Sequence, residues 1–135
     1  MEQTRAYENK VKTLKQTLGT FKQALGIKMA GAEATLEDTI KSGQAQKFEV
    51  CVELFWKTIK KFMYEIHGVE AVSPKMVMKG LFRLGYADEA QYEILLEMIN
   101  DRNRLSHIYN ATHFQAIHER LPEYHQLMSN VLKSI

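Results

Sequence analysis

A chain of 135 residues, 45% hydrophobic and 25% charged, has the balance of a globular protein and enough apolar surface to fold without a disulfide or a structural metal. Its 18 basic and 16 acidic residues leave a formal charge of +2, so bulk charge gives no argument for nucleic-acid binding, although a local basic face remains open. No apolar run reaches the roughly eighteen residues that span a membrane, and the single cysteine, Cys51, excludes an intrachain disulfide, so a cytoplasmic location is expected.

The opening M-E-Q-T-R-A-Y-E-N-K has no apolar centre and does not read as a signal peptide. From about Gln3 to Leu25 a first helix is predicted. Tyr7, Val11, Leu14, Leu18, Phe21 and Leu25 recur at alternating spacings of four and three, which lays them along one face, and Gly26 closes it. A second, short helix is predicted over about Glu33 to Lys41, with Leu36 and Ile40 inward and Gly43 as its stop. A third covers about Gln44 to His67. It has Phe48, Val52, Phe55, Ile59, Phe62, Met63 and Ile66 on a broad apolar face, Trp56 at its flank and Gly68 at its end.

Ser73-Pro74 is a helix start, a capping hydroxyl followed by a proline at the first helical position, and that helix ends near Gly85. Asp88 with Gln91 three residues on is a capping-box variant opening a longer helix, with Tyr92, Leu95, Ile99 and Arg102 down one side. The last segment carries Phe114, Ile117, Leu121, Leu127, Val131 and Leu132. Pro122 is expected to kink it or to start a new helix. No strand alternation, repeat or linker is visible. The fold class is therefore all-α: one domain over 1–135, an up-and-down bundle of five to six antiparallel helices. Such a bundle implies no function by itself.

The densest run of chemically capable side chains is R-N-R-L-S-H-I-Y, from Arg102 to Tyr109. An arginine that follows three core-facing apolar positions must be held by an acid, exposed at the helix end, or aimed into a cleft. His107, five residues on, is rotated by about 140° from Arg102 on a continuous helix. The two could share a target only if the helix ends or distorts between them, or if a second protomer supplies one of them. Arginine offers a fixed fork of donors for phosphate, and histidine exchanges a proton near neutral pH. Together they suit metal-free cleavage of RNA by its own 2′-hydroxyl. By spacing alone, the plainer reading outweighs this one: Arg102 in a salt bridge and His107 a surface or half-buried histidine.

Other groups carry less. His107, His113, His118 and His125 show no metal-binding spacing, so no metal site is expected and a solvated face is the reading for them. Lys57, Lys60 and Lys61 form a basic patch of the kind that is usually solvated. Cys51, among apolar neighbours, reads as a small core residue. No glycine-rich loop or nucleotide fingerprint occurs, so no cofactor is expected.

Arg102-Asn103-x-x-x-His107 resembles the signature of the HEPN superfamily, and Tyr109, completing R-x4-H-x-Y, resembles its HepT branch. F-E-V-C-V-E-L-F-W-K-T-I-K-K (48–61), S-P-K-M-V-M-K-G-L-F-R-L-G (73–85), M-I-N-D-R-N-R-L-S-H-I-Y-N (98–110) and L-P-E-Y (121–124) resemble the nucleotidyltransferase substrate-binding proteins of the same group. The resemblance implies a HEPN-like bundle that forms a homodimer with Arg and His of both protomers in a shared cleft. It implies metal-independent ribonuclease activity in a toxin–antitoxin pair, and a small partner of the MntA type, a minimal nucleotidyltransferase that transfers AMP to the tyrosine. By position, Arg102 would bind the scissile phosphate, His107 act as acid and base, Asn103 support the site, and Tyr109 accept the AMP. Lys57, Lys60 and Lys61 would then line the RNA approach. The alternative within the same group is a noncatalytic subunit that presents substrate to a separate nucleotidyltransferase.

Overall fold

The computed structural model describes residues 5–107 and 110–135. Among them lie five helices and no strand: α1 (Ala6–Leu25), α2 (Ala34–His67), α3 (Pro74–Arg83), α4 (Glu89–Leu105) and α5 (Ala111–Lys133). They form the expected up-and-down bundle of HEPN type.

Local chemistry sets most boundaries. The Ser73 hydroxyl accepts the Met76 amide hydrogen, with Pro74 opening α3. Asp88 and Gln91 complete the capping box, at 2.8 Å for the Gln91 amide to the Asp88 carboxylate and 2.9 Å for the Asp88 amide to the Gln91 side chain. Gly68 ends α2 with φ of 65°, the left-handed cap that glycine adopts at low cost.

Three expectations are corrected. The helices predicted over 33–41 and 44–67 are one helix of 34 residues, and Gly43 sits inside it. A glycine there costs about 1 kcal/mol relative to alanine, but the next turn is anchored. Gln44 is 2% exposed, donates to the Ala24 carbonyl at 2.8 Å and accepts from His118 at 2.6 Å. Leu36, expected inward, is 54% exposed, because this first part of α2 extends past the core. Likewise, no new helix begins at Pro122, since α5 runs through it. The proline withholds an amide from the His118 carbonyl. Buried Ile117, Leu121, Tyr124 and Leu127 on either side of it hold the helix against its neighbours.

The core is one cluster. The predicted α1 seam joins it, with Leu14, Leu18 and Phe21 buried and Tyr7, Val11 and Leu25 packed at its edge. The α2 face from Phe48 to Met63 is buried, and α2 packs against every other helix. Phe48 stacks on Tyr124 of α5 with ring centroids 5.5 Å apart. Cys51 is buried; its Sγ lies 3.6 Å from the Thr17 carbonyl, and burial pushes the thiol up to about 12. A neutral thiol is a core group rather than a nucleophile.

A Cβ on Gly43 would meet nothing within 4 Å. Gly43→Ala should therefore stabilise the protein by about 0.5–1 kcal/mol and raise Tm by about 2–5 °C. A thermal melt showing a lower Tm would mean that α2 is not helical through this position.

Candidate functional site

Helix α4 presents two faces with different chemistry. Tyr92, Leu95, Ile99 and Arg102 share one face, as the spacing predicts, with Tyr92 stacked on Phe82 of α3 and Arg102 reaching α2. Arg102 closes it with an ion pair to Glu53 of α2, 2.5 Å between Nη2 and the carboxylate. Glu53 also accepts from the Trp56 indole at 3.0 Å and from Lys57 at 2.9 Å. Burial alone would raise the Glu53 pKa, but the bonds from Lys57 and Trp56 and the Arg102 charge hold it below the ordinary value. Glu49, one turn earlier, is raised by burial against the opposing pull of Arg102. Of the three fates open to Arg102 from sequence, being held by an acid is the one observed in this protomer.

The second face of α4 carries Asn100, Asn103, Arg104 and, two residues past the helix end, His107. Facing it on α5 are His113, Ala116, Ile117 and Arg120. Both sets follow the same spacing of three, one and three, so each is one stripe of a helix. Between them lies an open cleft of about 660 Å³. The Arg104 carbonyl accepts the His107 amide hydrogen at 2.9 Å, which continues the turn beyond Leu105. Helix α4 thus ends between Arg102 and His107, but the ending does not bring them together. His107 and Asn103 line the cleft, whereas Arg102 faces α2. Tyr109 lies outside the described residues.

Behind the cleft sits Asp101, a residue the sequence reading missed. It is 0% exposed and is reached by Arg120 through Nε and Nη2 at 2.8 and 2.9 Å, by Arg104 at 2.8 Å and by the Tyr124 hydroxyl at 2.5 Å. Burial would raise its pKa. The bonds from Arg120, Tyr124 and Arg104 outweigh that and keep it low, so it is a carboxylate. Tyr124 is pushed up by its own burial and by donating to Asp101, and stays a neutral donor. Glu97 holds the outer side of Arg104 at 2.7 Å. The available signals were the Asp101/Arg104 spacing of three, the Arg120/Tyr124 spacing of four, and the shared stripe of Asn100, Asn103, Arg104 and His107. Anchoring on Arg102 and His107 obscured the last.

The lysines Lys57, Lys60 and Lys61 do come together. With Lys10, Trp56 and Tyr64 they line a groove of about 550 Å³, where Lys57 and Lys60 each lie 6.0 Å from the Trp56 ring centroid. Through Glu53 this basic groove adjoins Arg102. His118 and His125 depart from the expected solvated face. Both are half-buried, and they donate to Gln44 and to the Leu18 carbonyl respectively. Among the described residues no three His, Cys, Asp or Glu side chains are placed to hold a metal, and no helix is long and apolar enough to cross a membrane.

These features define a HEPN-type helical bundle with a polar cleft between its last two helices. The family described as nucleotidyltransferase substrate binding protein like matches residues 2–135, and the chain belongs to that family. Among solved structures, a Thermus thermophilus protein is 29% identical with a TM-score of 0.80, covering 90% of this chain and 97% of its own. A Haemophilus influenzae protein, described as having the fold of a substrate binding domain of a nucleotidyltransferase, is 18% identical with a TM-score of 0.72, covering 92% and 97%. A tri-AMPylated Shewanella oneidensis HEPN toxin in complex with an MNT antitoxin is 14% identical with a TM-score of 0.68, covering 97% and 96%. At these last two identities the likeness is one of fold. None of the curated proteins compared matches the sequence.

Asp101→Asn keeps the shape but removes the charge that Arg104 and Arg120 share. It should destabilise the protein by about 3 kcal/mol at pH 7. A carboxylate with a depressed folded pKa contributes its stability above the unfolded value of about 3.9 and loses it as pH falls through the folded value. The difference between parent and variant in urea unfolding should therefore narrow below about pH 4. An equal difference at pH 7 and pH 3 would show that the charge is not what stabilises.

Proposed function

We propose that this protein is a HepT-like, metal-independent ribonuclease toxin that acts as a homodimer and is neutralised when an MntA-like nucleotidyltransferase adenylylates Tyr109. The single observation that carries this reading is the complete R-x4-H-x-Y sequence motif of Arg102, His107 and Tyr109, whose arginine lies in the last turn of α4 and whose histidine lies two residues past it. The AMPylated toxin–antitoxin complex among the structural neighbours supports the choice of partner and of modification.

The chemistry needs a base to take the proton of a 2′-hydroxyl as it attacks the adjacent phosphorus. It also needs an acid to protonate the departing 5′-oxygen, and a cation for the phosphoryl oxygens. One protomer supplies one His107, and its Arg102 faces elsewhere. A two-fold dimer supplies two histidines and lets Arg102 of one copy approach His107 of the other. Asn103, beside His107 in the cleft, supports the site, and the groove of Lys57, Lys60 and Lys61 next to Arg102 is the RNA approach. In neutralisation, the Tyr109 hydroxyl attacks the α-phosphorus of ATP and pyrophosphate leaves. The added charge and bulk two residues from His107 then exclude RNA.

The ion pair between Arg102 and Glu53 favours a second reading, a noncatalytic subunit that presents substrate to a nucleotidyltransferase, because it leaves Arg102 already neutralised within the protomer. Cleavage separates the two readings. The unmodified protein should degrade RNA in EDTA, and Arg102→Ala or His107→Ala should reduce the rate at least about 100-fold. Loss of the half-exposed Arg102–Glu53 pair costs about 1 kcal/mol or less, so the arginine variant should remain folded. Intact RNA at high protein concentration would overturn the ribonuclease reading. With the partner and ATP, intact mass should rise by about 329 Da per AMP, and Tyr109→Phe should block the first addition. An unchanged first addition on Tyr109→Phe would move the acceptor elsewhere.

A further inference from the structure

We propose that the cleft between α4 and α5 is a phosphate subsite for single-stranded RNA, built within one protomer by Arg104 and Arg120 and distinct from Arg102. The inference rests on the ribonuclease reading and says where the phosphate next to the bond under attack is held.

The argument starts from donors. Arg120 spends Nε and Nη2 on Asp101, and Arg104 spends Nη1 on Asp101 and Glu97. Among the described residues, Arg104 Nε and Nη2 and Arg120 Nη1 make no hydrogen bond, and both arginines line the cleft. A guanidinium carries five donor hydrogens in a plane, so a carboxylate on one edge leaves the other for a second anion. Asp101 fixes both forks from behind, and because it is wholly buried it takes no place in the cleft itself. Glu97 is the acid at the rim, 2.7 Å from Arg104 and 3.9 Å from Arg120, and it opposes an anion there. His107 and His113 add ring donors, and Asn100 and Asn103 add amides that serve phosphate and sugar hydroxyls alike. The open shape admits a strand passing through, and His107 at the end of the cleft puts its proton-accepting ring beside that strand. Arg102 of the same protomer, by contrast, is turned to Glu53 and does not line this cleft.

A 2′-O-methyl oligonucleotide tests the assignment, because it cannot attack its own phosphorus and reports binding alone. Its affinity is read by fluorescence anisotropy across a salt series. Arg104→Gln leaves Asp101 with both Arg120 bonds and the Tyr124 hydroxyl, so the variant should stay folded with a modestly lower Tm. It should weaken binding about tenfold or more, the worth of a charge-assisted hydrogen bond, and reduce the slope of log K against log salt by about 0.7. Arg104→Lys should recover part of the affinity, and Lys12→Gln on α1 should change neither quantity. Arg120→Lys, which keeps a charge for Asp101, should show a smaller loss in the same direction. A folded Arg104→Gln variant with parental affinity and salt slope would overturn the proposal, as would a parent that does not bind the oligonucleotide. If inorganic phosphate bound in an Arg104-dependent way while the oligonucleotide did not, the cleft would take a small anion and the RNA assignment would fall. A parent that binds in this way but leaves unmodified RNA intact would remove the ribonuclease reading and keep the subsite.

Discussion

The apolar stripe of α2 from Phe48 to Met63 is the surface on which α1, α3, α4 and α5 all close. Once Phe48, Val52, Phe55 and Ile59 leave water, every other helix has to offer a matching stripe, because a dense interior leaves no room for a gap. That requirement explains why Gly43 fails to stop α2 and why Pro122 fails to divide α5. Each is a local penalty of about 1–3 kcal/mol, and each is flanked by side chains that the core holds in place. It also sets the rotation of α4. With Leu95 and Ile99 committed to the core, the next residue on their side, Arg102, is carried to the edge of α2, where Glu53 meets it.

The same rotation places Asp101 inside. A carboxylate there is tolerable only with full compensation, and Arg120, Arg104 and Tyr124 supply it. The network joins α4 to α5 at the point where the cleft opens, so electrostatics takes over from apolar packing near the site. A buried acid with two arginines fixes the direction of their guanidinium planes more narrowly than solvent would, and such pre-orientation is what an anion-binding surface needs.

Two surfaces follow, on different sides of α4. One joins Arg102 to the groove of Lys57, Lys60 and Lys61 through Glu53. The other gathers His107, Asn103, Arg104 and Arg120. The same bundle occurs in a HEPN toxin and in a protein described as having the fold of a substrate binding domain of a nucleotidyltransferase, so the fold does not choose between the two roles. The choice rests on how these two surfaces are brought together.

Much was legible in the sequence because it depends on neighbours along the chain. The helical class, the α1 seam, the Ser73-Pro74 start, the Asp88/Gln91 capping box and the Gly68 stop all follow from spacings of three and four or from one backbone dihedral. So did the density of functional groups around Arg102 and His107. Other features needed partners far apart in the chain. Gln44 with Ala24 and His118, Arg102 with Glu53, and Asp101 with Arg120 and Tyr124 are separated by 19 to 74 residues. The sequence by itself determined which residues form helices and which faces are apolar, since those are short-range properties. Only the tertiary structure decided that Arg102 and His107 point to different surfaces and that Asp101 aims two further arginines into the cleft, because burial and charge pairing depend on which helix faces which.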